Sequence, residues 1–373
     1  MTMKKYSVFL WEPYVCAHML PWVYGIVKDE RVKAVYYIAP CTVIAYRKSM
    51  GWSDEDLPKD DGVNYIIDPD DDRLKAIYET DTENAIHIYH GLAVNHIEGH
   101  YFKFGLKYNI KRSICYEGPK TLFHPLWQHY LNFYLRKYKY VKYIDNVFAI
   151  GDASEKYYKS ISKKWNVYPF MYATKAPATI SVQRKATFMN VCYVGTLSDL
   201  KNVSYMIDEL SSLPKTSYHL DIYGDGEERA RIVKQIDALG LSDVVTIKGY
   251  QKLDVIYEVL PQYDVLCLPS KLDGWGAVVN EAVMRGVYAL CSDQCGAAQM
   301  LKNHLLGKSF ELKSGALAKE FSYVLDHLES IREQAQQRIE WCKRITGDVI
   351  GRYILDKILL GNNSRNLYDE PNY

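Results

Sequence analysis

The chain has 373 residues, more than one hydrophobic core usually supports, so two domains of about 150 to 180 residues are expected. Hydrophobic residues at 48% and charged residues at 24% exclude disorder as the main state. With 46 basic and 45 acidic residues the formal net charge is +1, which gives no whole-chain attraction to nucleic acid and leaves any anion binding to local features.

From the N-terminus, short apolar runs alternate with helical patterns. Strands are predicted at Ser7–Trp11, Ala34–Ile38, Tyr65–Ile67, Ala85–Tyr89, Ser113–Tyr116 and Val147–Ile150, with helices near Asp72–Thr80, His96–Leu106 and Phe123–Tyr143. That alternation predicts a parallel sheet with crossover helices. Within Phe123–Tyr143, Trp127, Leu131, Tyr134, Leu135 and Tyr138 recur at helical spacing, while Arg136, Lys137, Lys139 and Lys142 gather toward the end. Two readings stay open: an interfacial helix contacting anionic lipid on the cytoplasmic membrane face, or a helix docked on its own sheet. The docked reading is favoured, because aromatics at core spacing usually serve a core.

Near Tyr172–Lys185 the apolar periodicity gives way to Ala, Thr, Pro and Lys, which marks a linker. The alternation then restarts, with strands at Phe188–Val194, Tyr218–Tyr223, Val244–Ile247, Val265–Leu268 and Val287–Cys291 and helices near 202–212, 227–239, 252–261 and 276–285. The expected organisation is a first Rossmann-like domain over 1–173, a linker over 174–186 and a second Rossmann-like domain over 187–346. A helix over 347–361 is expected to pack back toward the first domain, before a polar tail at 362–373.

The eight cysteines form no CxxC pair and mostly sit in apolar runs, which indicates buried thiols, a reducing compartment and a cytoplasmic protein. Cys291 and Cys295 have no companion Cys or His at zinc-site spacing, so no metal is expected. No apolar stretch reaches the length of a membrane span, and the run after Lys4-Lys5 is too short for a signal peptide.

The chemistry concentrates in the turns that follow the second set of strands. After Val265–Leu268 comes Ser270-Lys271-Leu272-Asp273-Gly274-Trp275-Gly276-Ala277, which opens a helix carrying Glu281. Gly274 and Gly276 let backbone approach a ligand, and Asp273 and Glu281 flank them. Helical side chains lean toward the N-terminus, so Glu281 in the second turn can point back at the helix mouth. The result is a pocket with backbone donors for an anion and two acceptors suited to sugar hydroxyls. Gly195-Thr196 leads to Lys201-Asn202 after the first strand of this domain, where Lys201 is either a phosphate-binding charge or a solvated surface lysine. Gly224-Asp225-Gly226 follows the next strand, where Asp225 either meets a ligand or caps the helix. These turns and Gly249-Tyr250 lie at the carboxyl ends of parallel strands, where such sheets bind ligands.

Taken in order, these turns resemble the nucleotide-sugar-binding domain of a GT-B glycosyltransferase of family GT4 (glycosyltransferase group 1), the type common in bacterial surface-polysaccharide and lipopolysaccharide assembly. The likeness covers about 188 to 301 and includes Leu239-Gly240-Leu241, Asp264 to Pro269-Ser270, the acidic-x7-Glu segment from Asp273 to Glu281, and Ser292-Asp293 with Gly296-Ala297-Ala298. It implies α/β GT-B architecture, two doubly wound Rossmann-like domains facing a central cleft. It further implies a retaining, metal-independent transfer from a nucleotide diphosphate sugar, with no separate cofactor, to a glycan or lipid-linked acceptor. By the same resemblance Glu281 would bond the donor ribose and Asp273 the donor sugar, Lys201 would hold the diphosphate, and backbone near Tyr250 would meet the nucleobase.

The chain departs from the family pattern in several places. The first acid is Asp273 rather than Glu, and Thr196 stands where many members carry Arg. Trp11 is followed by Glu12-Pro13-Tyr14 rather than by a glycine-rich loop. In place of a first-domain His after the fifth strand stands Glu117, with His90 as its rival for the acceptor-side polar group. Two other readings are compatible with the residues: a nucleotide-sugar epimerase on the same fold, and a non-catalytic carbohydrate-binding or scaffolding relative.

Overall fold

The computed structural model describes residues 4–16, 19–43, 62–92, 97–119, 121–174, 177 and 186–368. It divides into two compact units, one made of Met1–Thr174 with Arg344–Tyr373, the other of Lys175–Lys343. Most of the expected linker, residues 175–185 apart from Pro177, lies outside the described residues, as do His96 and 369–373.

The first unit is built on a seven-stranded sheet of β1 (Tyr6–Trp11), β2 (Val32–Ala39), β3 (Val63–Ile67), β4 (Ala85–His90), β5 (Arg112–Glu117), β6 (Asn146–Ile150) and β7 (Asn166–Phe170). Their order is β3-β2-β1-β4-β5-β6-β7 with every pairing parallel. The chain winds outward in both directions from β1, so the topological switch point lies between β1 and β4. Val8 to Trp11 are buried on both faces, as expected of a central strand covered by helices.

One face of this sheet carries an aromatic core. Trp11 stacks on Tyr78 at 4.8 Å and on Tyr89 at 5.6 Å, and Phe9 stacks on His87 at 4.8 Å. The buried hydroxyls pair off, Tyr78 with Tyr89 at 2.9 Å and Tyr78 to the Tyr101 carbonyl at 2.7 Å. Several of the chain's 33 tyrosines are thereby accounted for, since buried tyrosines find partners for their hydroxyls.

The helix Gly347–Leu360 belongs to this unit and packs on the helix Leu20–Val27. Gly25, Gly347 and Gly351 line the crossing, and a Cβ on any of them would overlap backbone of the facing helix. Arg31 joins Asp356 at 2.6 Å, and the Tyr353 hydroxyl donates to the Pro169 carbonyl. Beyond it, Leu367 is buried, so the segment after 361 is not simply the polar tail that its composition suggests.

The second unit is a six-stranded parallel sheet of β8 (Met189–Val194), β9 (Tyr218–Tyr223), β10 (Val245–Gly249), β11 (Val265–Leu268), β12 (Tyr288–Ser292) and β13 (Gly307–Phe310). The order is β10-β9-β8-β11-β12-β13, with the switch point between β8 and β11. Asp264, fully buried just before β11, accepts from the Asn190 amide and from two nitrogens of Arg332. Arg332 in turn donates to the carbonyls of Ala186 and Phe188. This network ties strand starts together at the sheet end opposite the turns of interest, so Asp264 is structural.

Candidate functional site

At the switch point of the second sheet, the turns leaving β8 and β11 come together. Gly195 donates its amide to the Tyr223 carbonyl and Leu197 to that of Asp225, which lays the Gly195–Leu197 turn along the turn that follows β9. A Cβ on Gly224 would overlap the Gly195 carbonyl and one on Gly226 that of Leu197, so both glycines are required by close backbone approach. The Thr196 carbonyl accepts from the Tyr193 hydroxyl. Asp225 does not cap the next helix, which begins later, at Arg229; its exposed carboxylate accepts from the Gly226 amide and pairs loosely with Arg229. Tyr250, just past β10, is half exposed.

The Lys201 ammonium lies 2.5 Å from the Asp273 carboxylate, and both side chains are partly buried. The Lys201 charge is thus held over the loop after β11. Lys271 reinforces that arrangement, its amide donating to the Leu200 carbonyl and its ammonium meeting Asp199 at 2.6 Å. The far side of the Asp273 loop is clamped as well: Asp273 donates to the Gln294 carbonyl, Gly296 to that of Asp273 and Ala297 to that of Trp275. A Cβ on Gly296 would overlap the Gly274 carbonyl. Asp273 therefore sits on a loop fixed from both sides, which preorganises its carboxylate.

Trp275 stands between the two glycines of the turn expected to meet a ligand, but its side chain turns inward. Its side chain is 1% exposed and the indole donates to Asn280 at 2.9 Å, so it packs the core and leaves only main chain to a bound molecule. Gly276 has φ +89°, and a Cβ there would press on Leu268. It turns the chain into the helix Ala277–Val283, as the sequence predicts.

Glu281 is 3% exposed in the second turn of that helix. The Tyr257 hydroxyl donates to its carboxylate at 3.4 Å, and Arg285 donates to its main-chain carbonyl. The Arg285 guanidinium lies 3.7 Å over the Tyr257 ring and also donates to the Tyr257 carbonyl. Burial pushes the Glu281 carboxyl up to about 7, and Arg285 and Tyr257 pull it back only in part. Sequence spacing points to Glu281 but not to Tyr257 and Arg285, which reach it from 24 residues upstream and from just past the end of its own helix.

In the first unit, His90 and Glu117 both lie at the carboxyl rim, at the ends of β4 and β5. Glu117 accepts from the Tyr172 hydroxyl at 3.2 Å. His90 has its Nδ1 2.9 Å from a carboxylate oxygen of Glu12, which is buried just after β1. Glu12 is the residue that sequence reasoning misses: it stands where a glycine loop is expected, and it joins His90 across the β1–β4 switch point. Among the described residues, no group of three or more His, Cys, Asp or Glu side chains is placed to hold a metal ion.

Comparison with known proteins bears on the family of the second unit and on the fold. Residues 181–341 match the family glycosyl transferases group 1. An alpha-D-kanosaminyltransferase of Streptomyces kanamyceticus is 29% identical over 119 residues, which is 31% of this chain and 31% of that protein. The chain thus spans about a third of the length of this curated relative. Among solved structures, Anabaena Alr3699/HepE in complex with UDP superposes with a TM-score of 0.69 at 14% identity, covering 95% of this chain and 99% of that one. The lipopolysaccharide outer core galactosyltransferase WaaB superposes over the same shares with a TM-score of 0.67, also at 14% identity. The fold shared with these structures is GT-B.

Proposed function

We propose that this chain, whose residues 181–341 match the group 1 glycosyl transferases, is a retaining glycosyltransferase. It moves a sugar from a nucleotide diphosphate sugar to a glycan or lipid-linked glycan acceptor. One observation carries the reading: at the switch point of the second sheet, the Lys201 ammonium is held on the Asp273 carboxylate. A cation for a leaving diphosphate thereby stands beside an acceptor for sugar hydroxyls.

In this reading Lys201 shifts from Asp273 to the diphosphate when donor binds, and the freed Asp273 carboxylate receives hydroxyls of the donor sugar. Glu281 takes the ribose hydroxyls in a site already held by Tyr257. As the bond from the anomeric carbon to the diphosphate oxygen breaks, negative charge grows on that oxygen, and Lys201 stabilises it. The acceptor oxygen bonds to the anomeric carbon on the same face, and its proton passes to the departing phosphate oxygen. No metal is required in this scheme, so transfer should persist in excess chelator.

The eight free cysteines support a reducing compartment and hence a cytoplasmic enzyme. The fold shared with a lipopolysaccharide galactosyltransferase is in keeping with surface-polysaccharide assembly.

The test is a thermal-shift screen of UDP-, GDP- and ADP-sugars, followed by nucleotide release with the best donor. One donor class should stabilise the protein, and Lys201→Ala should weaken its binding and slow nucleotide release by roughly 100-fold or more. No stabilisation by any nucleotide sugar would sink the proposal. Donor conversion without nucleotide release would replace transfer by epimerisation.

A further inference from the structure

The helix Leu126–Arg136 does not do what its spacing predicts. Of its residues only Phe133 is buried, meeting Tyr157 and Trp165 edge-on. Tyr130 secures the same side through its hydroxyl to Ser160 at 2.6 Å, and the His129 carbonyl accepts from Tyr157. The opposite side is apolar and faces solvent: Trp127 is 62% exposed and Leu135 75%, with Leu131, Tyr134 and Tyr138 about half exposed. These five recur at helical spacing along one stripe, and the rings of Tyr134 and Tyr138 stack on one another at 4.9 Å. Leu122, Phe123 and Leu126 extend the surface at its start, each about half exposed. The helix is docked, as the sequence favours, but through a separate row, Tyr130 and Phe133, and the five residues expected to serve the core do not.

The charge carried by this segment is of one sign. Arg136, Lys139 and Lys142 are exposed at its end, and from Gly118 through Ile144 the sequence has no Asp or Glu. Singly exposed hydrophobic residues are ordinary on a protein surface, but eight adjoining ones bordered by cations are not. Trp and Tyr with a basic flank suit the boundary between lipid headgroups and acyl chains, the aromatic side entering and the cations meeting phosphate.

We propose that the surface formed by residues 122–142 docks this protein onto an anionic lipid bilayer, with Trp127, Leu131 and Leu135 entering the headgroup–acyl boundary. A second copy of the chain is the weaker occupant, since the segment 118–144 that would face itself in a self-complementary contact supplies cations and no carboxylate to pair with them. The inference is independent of the sugar-transfer reading, because none of these residues belongs to the Lys201–Asp273 site.

The test is flotation of the full chain with vesicles of phosphatidylcholine alone and with phosphatidylglycerol added. The protein should float with the anionic vesicles and less so as salt is raised. The Leu131→Glu/Leu135→Glu double variant should lower the bound fraction at least tenfold, and Lys139→Gln/Lys142→Gln should reduce the preference for anionic lipid. Both pairs are exposed, so the variants should keep the wild-type melting temperature. Absence of the wild-type protein from the anionic vesicles at low salt would overturn the proposal. Equal flotation of the Leu131→Glu/Leu135→Glu variant would do the same. So would a wild-type dimer that the substitutions dissolve, since the apolar stripe would then serve a second copy. Nucleotide binding, measured separately, distinguishes failure here from failure of the proposed reaction.

Discussion

At the scale of single residues, Glu281 carries the sharpest physical signature. Its carboxyl titrates at about 7 in the folded chain against an ordinary 4.5, because burial disfavours the charged form more than Arg285 and Tyr257 restore it. The raised value means that the folded state keeps the proton through a window in which the unfolded chain loses it. Below 4.5 both states are protonated and the contribution to stability is intact; as pH rises toward and through 7 it is lost. Glu281→Gln removes the titration and stays neutral. Relative to wild type, it should therefore gain on the order of 2 kcal/mol more stability at about pH 8 than at about pH 5, given about 1.4 kcal/mol for each tenfold difference in proton affinity between the folded and unfolded chains. Denaturant melts of both proteins across that range check this, and parallel curves would show that Glu281 ionises normally. A buried acid kept near neutrality is also what a hydroxyl-binding site can use, since ligand hydroxyls that donate to the carboxylate favour the ionised form. On the proposed reading, the burial of Glu281 trades stability at neutral pH for a carboxylate that ligand hydroxyls can satisfy.

At the scale of elements, the site depends on two turns whose backbones touch. Gly224 and Gly226 meet the carbonyls of Gly195 and Leu197, and the first turn leads directly to Lys201. Gly224→Ala should cost about 1 to 3 kcal/mol, the usual range for overpacking, and should displace the 195–201 segment. Urea unfolding measures the first effect and nucleotide affinity the second; a variant with wild-type values of both would show that the turns are not in contact.

This contact was not legible in the sequence, although its glycines were, because a spacing shows where a turn lies but not what lies against it. The same limit hid the Lys201–Asp273 pair, whose partners are 72 residues apart, and the Glu12–His90 pair. The central strands were readable because Val8–Trp11 and Val265–Leu268 are apolar on both faces. The two strands that escaped are both edge strands. β7 contains Pro169, which reads as a break yet is tolerated at a sheet edge, and β13 is Gly-Lys-Ser-Phe, half polar because one side has no neighbour. The helix Leu126–Arg136 shows the converse error: period 3.6 defines a stripe but does not say whether protein or solvent meets it.

At the scale of the whole molecule, the first unit is assembled from segments at opposite ends of the sequence. The chain leaves it at Thr174 and re-enters at Arg344, where an isolated bridge pairs Thr174 with Thr346. The returning helix meets Leu20–Val27 at a glycine-lined crossing, and Ile350, Tyr353, Ile354 and Leu355 are buried along the rest of it. Gly351 lies against Trp22, Gly25 and Ile26, and Gly347 against Pro21, so the helix axes approach more closely than side chains would permit. Small residues at such a crossing convert shape into specificity, because a side chain added to either helix meets backbone that cannot turn aside. Gly351→Leu should therefore separate the Gly347–Leu360 helix from Leu20–Val27 and strain the Arg31–Asp356 pair, which spans 325 residues of sequence. The expected cost is about 3 kcal/mol or more, at the upper end of overpacking because the obstacle is main chain. Native-state hydrogen exchange gives the local readout: amides of Leu20–Val27 should lose protection by about 100-fold, since each 1.4 kcal/mol is about a factor of ten. Unchanged protection there would mean that the returning helix is not what stabilises the first unit, and that its glycines answer to something other than this crossing.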